Sequence, residues 1–176
     1  ISTLKLRGGY GEVGNQNIGN YLYQSYINSN ASYVFNNTLA PGATVVTLVD
    51  PAIKWETKKT TNVAVEMGLM KEKLHFTVEY FKNTNKDLLA GVPIPLSIGS
   101  FPWDVTTNAA SMENSGIELT VGYRGAVKDF TYDITVNGNT LKNKLLSLGL
   151  NGVPVTGNAS KSAPCRPVGD LYGHKV

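Results

Sequence analysis

With a single cysteine, two histidines and no long apolar run, this 176-residue chain lacks the usual devices for stapling a small domain or crossing a bilayer by helix. The lone Cys165 cannot close an internal disulfide, and no cysteine or histidine stands near it at metal-ligand spacing, so it reads as a structural or incidental thiol and no metal or cofactor is expected. No segment approaches the roughly 18 to 20 consecutive apolar residues of a transmembrane helix, an absence that leaves a barrel open. Charge is scarce as well: Asp, Glu, Lys and Arg make up 16% of the chain, against about 25% in average soluble proteins. The net charge of +3 is spread without a basic run, which argues against a nucleic-acid partner. Also missing is a positively charged leader ahead of an apolar stretch. The chain opens Ile1-Ser2-Thr3-Leu4-Lys5 inside what reads as a strand, so an internal piece of a larger exported protein is expected.

What is present is alternation. In residues 61–69, Val63, Val65, Met67 and Leu69 are separated by Asn62, Ala64, Glu66 and Gly68. The pattern resumes with Leu74, Phe76, Val78 and Tyr80, then with Ile117, Leu119, Val121 and Tyr123, and again with Phe130, Tyr132, Ile134 and Val136. Successive strand side chains point to opposite faces, so each segment has one apolar and one polar face. Five antiparallel strands are expected near 3–10, 60–70, 73–85, 113–125 and 129–142, forming an up-and-down meander. Short turns at 70–73 and 125–129 alternate with long excursions at 11–59, 85–114 and 143–176, where prolines such as Pro93 and Pro95 argue against a central strand. Within the first excursion, residues 33–35 and 44–49 could pair as a small hairpin.

The expected fold class is therefore all-β, an antiparallel meander forming part of a transmembrane β-barrel with long extracellular loops. Outer-membrane barrels carry short periplasmic turns and long external loops, which orients the wall. Tyr10 and Tyr80 would mark its outer girdle and Tyr123, Phe130 and Tyr132 its inner one. A soluble sandwich would show the same alternation, with its apolar face packed on a core. Four-residue-deep apolar faces and the absence of a lysine-rich wet face favour lipid. On that view Val63, Val65, Phe76, Val78, Leu119, Val121, Ile134 and Val136 share one uncovered face. Five strands cannot close a barrel, since about eight is the lower limit.

Several motifs are decoys. Gly9-Tyr10-Gly11-Glu12-Val13-Gly14 fits a dinucleotide fingerprint, but an Asn-rich loop follows it where a helix N-terminus is required. His75 and His174 lack any nucleophile setting. Glu66, Glu79, Glu118 and Asp133 fall at regular wet-face positions, which makes them lining charge rather than a hydrolytic pair. No catalytic residue is expected, and the chain does not read as an enzyme. The loop aromatics Tyr21, Tyr23, Tyr26, Phe101 and Trp103 are the candidate ligand- or partner-contacting residues, because exposed rings stack on sugars and anchor interfaces.

Five segments in order carry a resemblance: Leu6-Arg7-Gly8-Gly9-Tyr10-Gly11-Glu12-Val13-Gly14-Asn15; Asp50-Pro51-Ala52-Ile53-Lys54-Trp55-Glu56-Thr57; Lys86-Asp87-Leu88-Leu89 with Val92-Pro93-Ile94-Pro95; Asn108-Ala109-Ala110-Ser111-Met112-Glu113-Asn114-Ser115-Gly116-Ile117-Glu118; and Val168-Gly169-Asp170-Leu171-Tyr172-Gly173-His174-Lys175-Val176. Together they resemble the C-terminal barrel region of SusC/RagA-type TonB-dependent outer-membrane transporters. Gly8, Gly9, Asp50, Ala110 and His174 depart from the usual residues without breaking a strand. The resemblance implies a fragment, 1–176, of a 22-stranded barrel, without its plug. It also implies uptake of glycans or peptides driven through the TonB complex, with a SusD-like surface lipoprotein as partner and outer-membrane lipid around the wall. The competing expectation is a soluble β-rich carbohydrate-binding module, and a third is an adhesin or surface-layer piece.

Overall fold

The computed structural model describes residues 1–149, 155–156, 160–171 and 173. In chain order the strands are β1 (Thr3–Asn15), β2 (Ile27–Asn28), β3 (Tyr33–Phe35), β4 (Thr38–Ala40), β5 (Thr44–Val45), β6 (Glu56–Leu69), β7 (Leu74–Pro93), β8 (Asp104–Val127), β9 (Phe130–Leu148), β10 (Val155–Thr156), β11 (Ser160–Ser162) and β12 (Asp170–Leu171). One open antiparallel sheet in the order β1-β6-β7-β8-β9 dominates, and its long strands are neighbours in chain order, which is a meander.

The register makes the two faces continuous across all five strands. Leu4, Met67, Phe76, Val121 and Val136 form one row, and Leu6, Val65, Val78, Leu119 and Gly138 the next. Gly8, Val63, Tyr80, Ile117 and Thr140 complete the apolar band on its loop side. All eight residues expected to share a face do so; none is buried, and no second sheet covers them among the described residues. On β8 and β9 the outward apolar run extends over ten residue steps, from the Ile117–Thr140 row to the Val127–Phe130 row. At about 3.3 Å per residue and a tilt of about 40°, that run rises roughly 25 Å, the height of an outer-membrane apolar band.

The opposite face is wet and internally paired. Arg7 bridges Glu66 at 2.8 Å and Glu79 at 3.1 Å, Lys5 reaches Glu66 at 3.4 Å, and Asn62 donates to Glu79 at 3.2 Å. Near the opposite end Arg124 pairs with Asp133 at 2.8 Å. A row of Gly11, Thr60, Asn83, Asn114 and Asn143 crosses the same face higher up, and Asn143 donates to Asn114. The side-chain amide oxygens of Asn83 and Asn85 are buried there with no donor among the described residues.

Turn chemistry fixes the short connections. Residues 70–73 place Met70, Lys71 and Glu72 in the left-handed region; Ser2, just before β1, accepts from the Lys71 amide, and Thr3 of β1 donates to Glu72, which ties the turn down. The β8–β9 connection is tighter than the expected 125–129: β8 runs to Val127 and β9 starts at Phe130, with Lys128 left-handed. Tyr132 packs 6.0 Å from Tyr123 and 6.2 Å from Phe130, an inner aromatic cluster. The tip of its ring occupies the space a Cβ on Gly125 would need, so a larger residue there would displace the ring.

Three expectations are corrected. Residues 85–114 are not a loop: β7 continues to Pro93 and β8 begins at Asp104, so only the tip between them is irregular. Pro93 is tolerated because it is the last strand residue, where no ladder donor is needed. The parity rule lost these strands because β7 carries an extra residue between Asn85 and Leu88, and β8 carries one between Ala110 and Asn108. A bulge breaks alternation without ending pairing. Secondly, residues 33–35 pair with 38–40 and not with 44–49, because Asn36-Asn37, both left-handed, make a two-residue hairpin turn close at hand. Thr44–Val45 pairs instead with Ile27–Asn28. Thirdly, the expected loop 143–176 begins later, since β9 runs to Leu148, and β11 pairs with both β10 and β12. Tyr172, His174, Lys175 and Val176 of the last motif lie outside the described residues.

Candidate functional site

All the long connections emerge at one end of the sheet. There the first loop, residues 16–55, is fastened to the β7–β8 extension at two places. At the tip, the Phe101 amide donates to the Val46 carbonyl at 2.7 Å, while Ser100 donates to the same carbonyl and accepts from the Leu48 amide, each at 3.0 Å. Lower down, Asn108 acts as a three-way clip: its side chain accepts from the Lys54 amide at 2.7 Å and donates to the carbonyls of Lys54 at 2.8 Å and Asp87 at 2.6 Å.

The bulge explains why those partners are free. Asp87 is left-handed, with φ of 56°, and lies in the register break between Asn85 and Leu88. Its carbonyl and the Leu89 amide nearby therefore take side-chain partners: Asn108 caps the first, and the Glu56 carboxylate accepts from the second at 3.0 Å. Glu56 is held in turn by Asn15 at 3.0 Å. Asp50 accepts from the Thr107 hydroxyl and from the Ala52 amide at 2.9 Å, and these bonds, the hydroxyl's foremost, hold its carboxyl below the usual carboxylate range. Val105, Thr107, Ala109 and Ala110 are buried there, in a sheet that otherwise has few buried side chains. A clip of this kind was not expected from the sequence, although Asp50, Glu56, Asp87 and Asn108 all belong to the quoted motifs. The legible signal was short polar residues beside strand boundaries, where unpaired backbone groups demand partners.

The five candidate aromatics sit in this loop cluster, each between 48% and 70% exposed, so their rings are free for contact. They fall into groups. Phe101 and Trp103 meet edge-on at 5.9 Å, and Tyr21 and Tyr23 lie tilted at 6.5 Å. No ring contact joins the two pairs among the described residues. Backbone links them: Tyr26 precedes Ile27, Ile27 pairs with Val45, and Val46 accepts from Phe101. Another exposed aromatic, Trp55, was not among the expected site residues. It lies 4.0 Å from where a Cβ on Gly14 would stand, in a cleft of about 470 Å³ lined also by Gln16, Ile53, Lys54 and Asp87.

An open antiparallel wall with one continuous apolar face, a polar inner face and its long loops at one end is a segment of an outer-membrane β-barrel. The family model described as TonB dependent receptor-like, beta-barrel matches residues 1–161, and the chain belongs to that family. It is similar to the TonB-dependent receptor SusC of Bacteroides thetaiotaomicron, 33% identical over 154 residues that cover 84% of this chain and 15% of that protein. A TonB-dependent receptor of Formosa agariphila is 29% identical over 177 residues, covering 99% of this chain and 16% of the relative. Among solved structures, the RagAB peptide transporter superposes with a TM-score of 0.73 at 26% identity, covering 94% of this chain and 18% of that one. The chain thus spans 15% to 16% of the length of these curated relatives. It is an outer-membrane protein segment of the SusC/RagA type.

Proposed function

We propose that this chain is part of the barrel wall of a nutrient importer, in which the clipped loop cluster forms the extracellular mouth. The observation that carries this reading is the separation of tasks along the sheet. The apolar band is uncovered and regular, whereas bulges, clip and exposed aromatics are gathered at the loop end. Import would be energised through the TonB complex, with a SusD-like lipoprotein covering the mouth and a glycan or peptide as cargo. Similarity to the RagAB peptide transporter supports a peptide as cargo.

Tyr21, Tyr23, Tyr26, Phe101 and Trp103 would contact cargo or the covering lipoprotein, since rings offer large contact area at low entropic cost. In the full-length parent, Trp103→Ala should lower uptake of its oligosaccharide or peptide cargo while leaving outer-membrane insertion intact. Unchanged uptake together with unchanged lipoprotein binding would reduce Trp103 to a loop-packing residue.

A further inference from the structure

The outward face does not stay apolar above the girdle. Immediately beyond the Gly8–Val63–Tyr80–Ile117–Thr140 row, the register sets Tyr10, Thr61, Lys82, Ser115 and Lys142 side by side, and then Glu12, Lys59, Thr84, Glu113 and Lys144. Lys59 is neutralised by Glu12 at 3.0 Å and Lys82 by Glu113 at 2.9 Å. Glu113 stands opposite Lys144 in the register yet bonds Lys82, and neither Lys142 nor Lys144 has a carboxylate partner among the described residues. Both are exposed.

These two lysines lie on one strand face about 7 Å apart, and Lys82 lies two strands from Lys142, about 10 Å away, with the Ser115 hydroxyl between. Three lysines and one carboxylate leave this patch with two net positive charges at the β8–β9 side of the wall. Like charges so placed repel one another unless an anion joins them. At the other end of the band the outward rows are Gly125–Tyr132 and Val127–Phe130, which carry no charge. The cationic patch thus continues the lipid-facing surface at the level where outer-leaflet headgroups begin.

We propose that Lys82, Lys142 and Lys144, with the Ser115 hydroxyl, seat a phosphate group of an outer-leaflet glycolipid. The ammonium groups supply charge, their apolar stems lie along the top of the band, and Tyr80 marks the boundary from the row below. The proposal requires the wall to face lipid but makes no use of import, so it stands or falls independently of the transport reading.

The test uses the full-length parent in phosphatidylcholine nanodiscs, titrated with lipid A carrying its phosphates and with dephosphorylated lipid A. The phosphorylated form should bind about tenfold more tightly, by an amount that shrinks as salt is raised, and Lys142→Gln with Lys144→Gln should abolish most of that preference. The double arginine variant, which preserves charge, should retain it and so separates charge loss from misfolding. Equal binding of both lipids, or an unaltered preference in the glutamine variant, would overturn the proposal. So would inorganic phosphate competing fully at equal concentration, since the site would then serve a free anion and not a lipid.

Discussion

The lower and upper halves of this sheet obey different rules although the same five strands, β1 and β6 to β9, run through both. Below the Tyr10–Tyr80 girdle every residue has a face assigned by parity, the outward side is apolar and the inward side is ion-paired. Above it, β7 and β8 each carry an inserted residue, and side chains bond backbone across the loop. The lower half meets lipid, where an unpaired backbone group costs several kcal/mol, and so it admits no irregularity. The upper half meets water, where a bulge is tolerated as long as its freed groups find partners. Regularity marks the solvent, and irregularity marks the place where the chain was released from that constraint.

The sharpest way to break this comparison is to exchange the faces at mid-band. Leu119→Arg puts a cation on the outward face and should destabilise the inserted parent barrel by about 2–4 kcal/mol, whereas Thr120→Arg, one residue along and facing inward, should stay within about 1 kcal/mol. Equilibrium unfolding in lipid vesicles measures both. Equal costs for the two would mean that the apolar face does not meet lipid.

A smaller, local effect is expected in the upper half. Asn108→Ala removes three hydrogen bonds from the clip and leaves the Asp87 carbonyl without its cap. The expected loss is about 1–3 kcal/mol of local stability, read as faster amide exchange in residues 46–55 with no change in residues 61–69. Exchange spreading into the band would show that the two halves are one cooperative unit.

The least effect concerns pH. Asp50 is held below its ordinary value of 3.8 by the Thr107 hydroxyl and the Ala52 amide, so its contribution is complete above that value and is lost as pH falls through the lower folded value. Amide exchange near Ala52 should therefore quicken only below about pH 4, and the pH dependence should vanish in Asp50→Asn. Acceleration that begins nearer neutrality would assign the response to another group.

How much of this was legible follows the same division. The turn at 70–73, the faces of 63–69 and 74–80, and the outward row of Leu119 and Val121 follow from parity in the sequence. The extension of β7 to Pro93 was hidden by a single inserted residue, and the pairing of Tyr33–Phe35 with Thr38–Ala40 depends on Asn36 and Asn37 both adopting the left-handed conformation. Exposed aromatics could be picked out by composition, but their grouping into Phe101–Trp103 and Tyr21–Tyr23 pairs could not. Asp50, Glu56 and Asn108 stood in recognisable motifs whose physical role was invisible until Thr107, Leu89 and Asp87 were brought to them.

Covalent geometry makes successive side chains of an extended chain point opposite ways, so the sequence by itself determined the two faces of the wall, the direction of its short turns and its family. Lys54 meets Asn108 across 54 residues, and Asp50 meets Thr107 across 57. Contacts of that span depend on the register of strands that lie between them in the chain and on two compensating bulges. The mouth of the wall, unlike the wall itself, was therefore decided only when the strands had paired.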